Sequence, residues 1–488
     1  MAAGAATILG VRAPWSDWTW VRQRRQLAIM RSSDAEHRAG LLPPSAERVQ
    51  VRLALICEFY GPDRAHYLLD GAHRLGLRDR FGDQDVEALL QGLRRGRESA
   101  APAALGRLVG ADQRPVVFFG ETATRGLPSG VLDVYPSVAV LGGSVSVLIC
   151  AFRLEEYAGA AVQRALEAEH RTERALGGGY HPPVMAQRRA VDAARASLRE
   201  ELAGWVAHHA PGEFVALGAP LPALLLQTHR TAEAEQAIGM LSRWMASVRA
   251  SEARWRSTRW PALRMRPGGD ERRDRNALLV VGREQAVLQR VREGGTRMDV
   301  DQAWGHTTGR LTRSLETTLM LWAALRLLTE QRASFAVLRD ALAGWDVAPA
   351  GADRRLAALA PHARSLVASR AMAEGIVAGA QPYVFVGYDG NDWVLHDGRP
   401  GSRWFARHLE AVRESDADLR EKERGLRERV TLEIDLLAGG AGLRVQRTAL
   451  VVALLAAVLA GAALAVSAVQ LERDDPAPAR TVRSPPFP

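Results

Sequence analysis

The chain has 488 residues, 47% apolar and 24% charged, long enough for two or three globular domains with sizeable cores. Of its 64 basic side chains all but Lys422 are arginine, which excludes a Gly-Lys-Ser/Thr phosphate loop, lysine Schiff bases and kinase-type catalysis. Two cysteines, Cys57 and Cys150, exclude a disulfide framework, and the net charge of +9 is spread over stretches where acidic and basic residues alternate, as on solvated helix faces.

The arginine- and alanine-rich composition is of the kind a GC-rich bacterial genome encodes. The first residues, Met1 to Arg12, carry no basic n-region and only a short apolar stretch, so no signal peptide is expected. Trp15, Trp18 and Trp20 are read as core aromatics. Val116–Phe119 is a predicted strand. Val138–Leu141 and Ser144–Phe152 alternate β-branched residues around Gly142-Gly143, the pattern of a hairpin whose turn needs positive φ. Helices are expected over Leu154–Leu176, Val184–His209 and Ala232–Ala250. In the second of these, Val191, Ala194, Leu198, Leu202, Trp205 and His209 form one apolar face. Pro182-Pro183 precedes that helix and Pro211-Gly212 stops it. Residues 1–253 are taken as an N-terminal α+β domain.

Residues 254–275 are rich in arginine and tryptophan and are read as a linker. Arg254, Trp255, Arg256, Arg259, Trp260, Arg264 and Arg266 are the candidates for contact with an anionic surface. Arginine pairs with phosphates while tryptophan favours lipid interfaces and stacks on bases. The plain linker is preferred, then lipid headgroups, with nucleic acid last.

Residues 276–400 read as a mainly helical second domain. It opens on a strand, Ala277–Val281. Trp304–Gly309, with His306, is expected as a loop that caps the helix Arg310–Ala343, and Asp353–Ala378 is a further helix. Tyr383–Val386 and Trp393–Leu395 flank Tyr388–Asp392 as a second hairpin. Residues 401–438 form a juxtamembrane stalk helix. Val412, Leu419 and Leu426 repeat at sevens, but Asp416 and Glu423 hold the intervening positions, so a solvated stalk is expected rather than a coiled coil.

Thr448–Val469 is a run of twenty-two residues without a charge. At about 1.5 Å per residue it would span roughly 33 Å as a helix, enough for a bilayer core of about 30 Å. The sequence therefore predicts one transmembrane helix over 448–469, with the lipid bilayer as a partner, and a disordered tail over 470–488. Ala449, Ala453, Ala457, Gly461 and Ala465 recur at fours, a small-residue stripe suited to association into a homodimer.

No local motif for catalysis is found. Gly142-Gly143-Ser144-Val145-Ser146 lacks the last glycine of a serine elbow, and Cys150 lies in an apolar strand as a buried thiol does. No His-Glu-x-x-His motif occurs, so no metal or cofactor is assigned. The expected fold class is α+β: a mainly helical cytoplasmic region with two β-hairpins, a long juxtamembrane helix and one C-terminal transmembrane helix. The expected function is a non-enzymatic interaction, sensing or scaffolding module, single-pass and anchored in the cell membrane with the large N-terminal region cytoplasmic. The alternative is an enzyme of unfamiliar type without a local motif.

Overall fold

The computed structural model describes residues 15–32, 34, 40–78, 85–95, 102–111, 121–124, 126–174, 179–231, 243–249, 252–266, 277–292, 300–343, 368–379, 392–395 and 403–439. The chain divides into two units. Met1–Ser334 with Ala371–Leu419 forms the first, and Phe335–Arg370 with Arg420–Pro488 the second.

The strands are β1 (Val49–Tyr60), β2 (Ala103–Ala104), β3 (Arg107–Gly110), β4 (Glu121–Thr124), β5 (Val131–Leu141), β6 (Val145–Leu154), β7 (Glu173–Arg174), β8 (Tyr180–His181), β9 (Ala223–His229), β10 (Trp255–Ser257), β11 (Leu263–Arg266), β12 (Ala277–Arg283) and β13 (Trp393–Leu395). Eleven of them form one mixed sheet in the first unit. Its order is β13-β10-β11-β12-β9-β1-β6-β5-β3-β4, with β2 on the side of β5. The pairs β9/β12 and β3/β4 are parallel and the rest antiparallel. Strands β7 and β8 form a separate small pair.

The helices used below are α1 (Trp15–Ser32), α2 (Ala65–Leu75), α3 (Val86–Arg95), α4 (Ala161–Glu167), α5 (Pro183–His209), α6 (Glu284–Arg292), α7 (Val300–Ala343), α8 (368–379) and α9 (Trp404–Gly439). Helix α5 lies on one face of the sheet, where Trp205 meets Phe152 edge-on at 5.7 Å. The part of α7 within the first unit lies on the other. There Trp260 Nε1 donates to Ser314 Oγ at 3.2 Å, Trp393 Nε1 to Thr318 Oγ1 at 2.9 Å, and Ser137 Oγ to Glu316 Oε1 at 2.6 Å. A sheet covered on both faces needs strands that are apolar on both sides. Strand β9 is buried throughout, and β1 at all positions but Arg52.

The expected β5–β6 hairpin is present. Leu141 pairs with Val145, so three residues make the turn, with φ of +55° at Gly142 and +76° at Gly143. A Cβ at Gly142 would also lie 2.5 Å from the Gly375 carbonyl, so glycine is required there twice over.

Several expectations are corrected. The fold class is an α+β architecture built on a large mixed sheet, rather than a mainly helical region with two hairpins. Among the described residues no helix is long and apolar enough to cross a membrane, and Thr448–Val469, its stripe and the tail lie outside those residues. The single-pass, membrane-anchored reading and the cell-membrane location are therefore withdrawn. The stretch 254–275, expected as a linker, supplies β10 and β11 to the sheet. Strand β13 pairs with β10, and 383–386, the other arm of the expected second hairpin, lies outside the described residues, as does 116–119.

Trp304–Gly309 is helical, the second turn of α7. Thr307 and Thr308 turn their hydroxyls back to the carbonyls of Ala303 and Trp304, which satisfies them inside a helix. The expected helix 154–176 breaks after Leu154 into Glu156–Gly159, α4 and β7. Of the expected helix 232–250 the structure describes Arg243–Ser247, and of 353–378 it describes 368–379. In α9, Val412, Leu419 and Leu426 are buried, and Asp416 and Glu423 are buried with them. Arg413, Glu414, Arg420, Glu421 and Arg424 are exposed, while Asp418 pairs with Arg332 at 2.5 Å and Glu423 lies 3.9 Å from Arg370.

Candidate functional site

On α5 the residues Val191, Leu198, Leu202 and Val206 are buried, close to the apolar face read from the sequence. Ala194, Trp205 and His209 are half-buried instead. The face is rotated, and Arg195 and Arg199 occupy it at 7% and 8% exposure. Together with Asp192 they place charged groups at i, i+3 and i+7, one stripe pressed onto the sheet. Opposite them, β9 presents Gln227 and β11 presents Arg264 and Arg266. The registers Gln227↔Val281↔Arg264 and Leu225↔Leu279↔Arg266 put these residues on the α5 face.

The groups are tied together by hydrogen bonds and ion pairs. Arg195 donates from Nε (3.2 Å) and Nη2 (2.6 Å) to Gln227 Oε1, from Nη2 to the Val248 carbonyl (2.8 Å), and from Nη1 to Asp192 Oδ1 (3.2 Å). Asp192 Oδ2 accepts from Arg249 Nη2 at 2.6 Å. Glu252 receives Arg188 at 3.1 Å, Arg266 at 2.6 Å and Arg249 at 3.8 Å. Arg249 holds a φ of +58°, left-handed for a residue with a Cβ. Such a conformation costs on the order of 1 kcal/mol, and it occurs in a turn where Arg249 N–H donates to the Ala246 carbonyl at 3.2 Å and Glu252 N–H to the Arg249 carbonyl at 3.1 Å.

Arg199 differs from its neighbours. Its Nη2 meets Glu200 Oε1 at 3.4 Å, beyond the roughly 2.7–2.9 Å of a charge-assisted bond, and Glu200 is 72% exposed. Arg195, Arg199 and Arg266 line one cavity of about 20 Å³ with Asp192, Ala196, Leu225 and Ala277–Leu279. That is room for one oxygen-sized group. Its described lining carries three guanidinium groups and one carboxylate.

Burial pushes the His229 imidazole down from 6.5 to about 4; Arg195 adds to this and Glu47 opposes it. His229 is therefore neutral near pH 7 and adds no charge to the cluster. Burial also lowers Arg264.

Of the arginines and tryptophans proposed for an anionic surface, Arg254 and Arg256 are exposed and Arg259 is half-buried. Trp255 and Trp260 are buried at 5% and 4%, so neither ring offers a free face for stacking. Arg266 joins the cluster and Arg264 lies on the same sheet face. Sequence reasoning passed over Asp192, Arg195 and Arg199. The available signal was charge at helical spacing within an apolar face.

Two further titratable groups, Glu58 and Cys150, are buried in the sheet away from this cavity. Glu58 is fully buried and accepts the backbone N–H groups of Phe59 (2.9 Å), Phe214 (3.0 Å) and Val215 (3.4 Å). Burial raises its pKa to about 7 against those donors. Cys150 borders an apolar cavity of about 10 Å³ beneath α2 and α5, and burial pushes its thiol up to about 12. A thiol so protonated is no nucleophile. No protein-family model, curated protein or solved structure matches the chain.

Proposed function

We propose that the protein is a non-enzymatic binding module that takes an oxyanion-bearing ligand at the arginine cluster between α5, β9, β11 and β12. The observation that carries this is the convergence of Arg195, Arg199 and Arg266 on one cavity. Guanidinium groups are costly to bury unless paired, and their planar forks suit oxyanions. Arg199, held by a 3.4 Å contact to an exposed carboxylate, is the group at which an incoming anion gains most. The buried Glu58 and Cys150 lie inside the core rather than beside a polar cavity.

The test is a thermal melt of the full chain in phosphate, sulfate or acetate against chloride at equal ionic strength. At least one oxyanion should raise the midpoint, and Arg199→Gln should remove the rise. A midpoint indifferent to all three anions would sink the reading.

A further inference from the structure

The cavity also bears on which anion it takes. Arg195 and Arg199 come from successive turns of one helix, and Arg266 comes from the end of β11 across the gap. Donors from a helix and from the facing sheet approach from different directions, whereas a planar carboxylate presents its oxygens in one plane. A tetrahedral group can place one oxygen in a space of about 20 Å³ and turn its others toward the surrounding forks. Around it Arg188, Arg195, Arg199, Arg249 and Arg266 face the carboxylates of Asp192, Glu200 and Glu252, an excess of positive charge that a doubly charged ligand reduces.

We infer that the cluster recognises a phosphomonoester group, bound as its dianion with one oxygen in the cavity lined by Arg195, Arg199 and Arg266. This rests on the oxyanion reading above.

The experiment is calorimetric titration of the full chain with phenyl phosphate, inorganic phosphate, phenyl sulfate and benzoate. The phosphate compounds should bind at least tenfold more tightly than phenyl sulfate, which has the same shape and one charge. Benzoate should bind more weakly still. Affinity for phenyl phosphate should fall as pH drops through its second ionisation at about 6. Arg199→Gln should weaken binding tenfold or more. Because Arg199 is buried, Glu200→Gln is the second variant. It removes an exposed competing carboxylate and should strengthen binding two- to fivefold. Sulfate binding as tightly as phosphate, or benzoate binding tightest, overturns the phosphomonoester inference while leaving an oxyanion site. Binding that neither variant alters, or no binding of any probe, overturns both.

Discussion

Gln227 Nε2 donates to His229 Nε2 across 3.0 Å, and the direction of that bond sets the imidazole tautomer. The Gln227 Oε1 atom is occupied by two donors of Arg195, so its amide nitrogen must face the ring. His229 Nε2 then accepts and Nδ1 carries the proton, buried without a hydrogen-bond partner among the described residues. A guanidinium on α5 thus dictates, through one amide, the protonation of a histidine on β9.

This arrangement predicts a loss of stability in mild acid. A base with a depressed native pKa keeps full stability above its unfolded value and loses it as pH falls below that value. For His229 the loss begins near 6.5 and is complete near 4. At pH 5 it amounts to about 2 kcal/mol. His229→Gln, which retains an acceptor for Gln227, should lose less stability than the parent between pH 7.5 and 5 in urea titrations. Parallel profiles for the two proteins would count against the assignment.

Glu58 works in the opposite sense. Its native pKa is raised from 4.5 to about 7, so its contribution is full below 4.5 and disappears as pH rises through about 7. Between pH 6.5 and 8 His229 is neutral in the native state and at most half protonated in the unfolded one, so the Glu58 contribution is the larger of the two. Glu58→Gln should flatten the fall in stability across that window, an effect on the order of 1 kcal/mol. Gly212 packs against the same carboxylate, and a Cβ there would come within 2.6 Å of Glu58 Cγ and 2.3 Å of the Phe59 carbonyl. Gly212→Ala should cost about 1–3 kcal/mol at every pH, which separates crowding from titration in the same measurement.

Asp133 is fully buried and bridges Arg107 and Arg153, each at 2.5 Å. Asp133→Asn leaves two guanidinium groups sharing a neutral amide. Removing one partner of a buried ion pair costs about 3–5 kcal/mol, and the partial exposure of Arg107 (27%) reduces this to roughly 2–4 kcal/mol. Denaturant midpoints of the variant should fall accordingly, and Arg107→Gln should cost less than Arg153→Gln.

Trp260 and Trp393 both hang from the sheet onto α7, where Ser314 and Thr318 accept their indole N–H groups. Trp393→Phe should cost about 1–3 kcal/mol through a buried hydroxyl left short of a donor and a smaller ring in a fully buried site. The double variant Trp393→Phe/Thr318→Val should recover part of that loss.

The legible parts of this fold are those where local chemistry is decisive. Gly142-Gly143 between β-branched runs announced the β5–β6 hairpin because few residues tolerate those φ values. Pro182-Pro183 and Pro211-Gly212 bracketed α5 to within a residue of its bounds. The two strands at the middle of the sheet, β1 and β9, were missed. Buried on both faces, Val-Gln-Val-Arg-Leu-Ala-Leu-Ile-Cys and Ala-Leu-Leu-Leu do not alternate, and periodicity cannot separate them from a buried helix.

Sequence alone determined the exclusions and the punctuation. One lysine rules out a family of phosphate chemistry, and two separated cysteines rule out a disulfide scaffold. Glycine and proline set turns and helix ends through their own backbone limits. Only the tertiary structure decided that the arginine-rich stretch after residue 254 enters the sheet, that Trp255 and Trp260 are core, and that Arg195, Arg199 and Arg266 meet at one cavity. Those residues are separated by up to 71 positions, from Arg195 to Arg266. What joins them is strand order and register, a property of long-range pairing that no local pattern encodes.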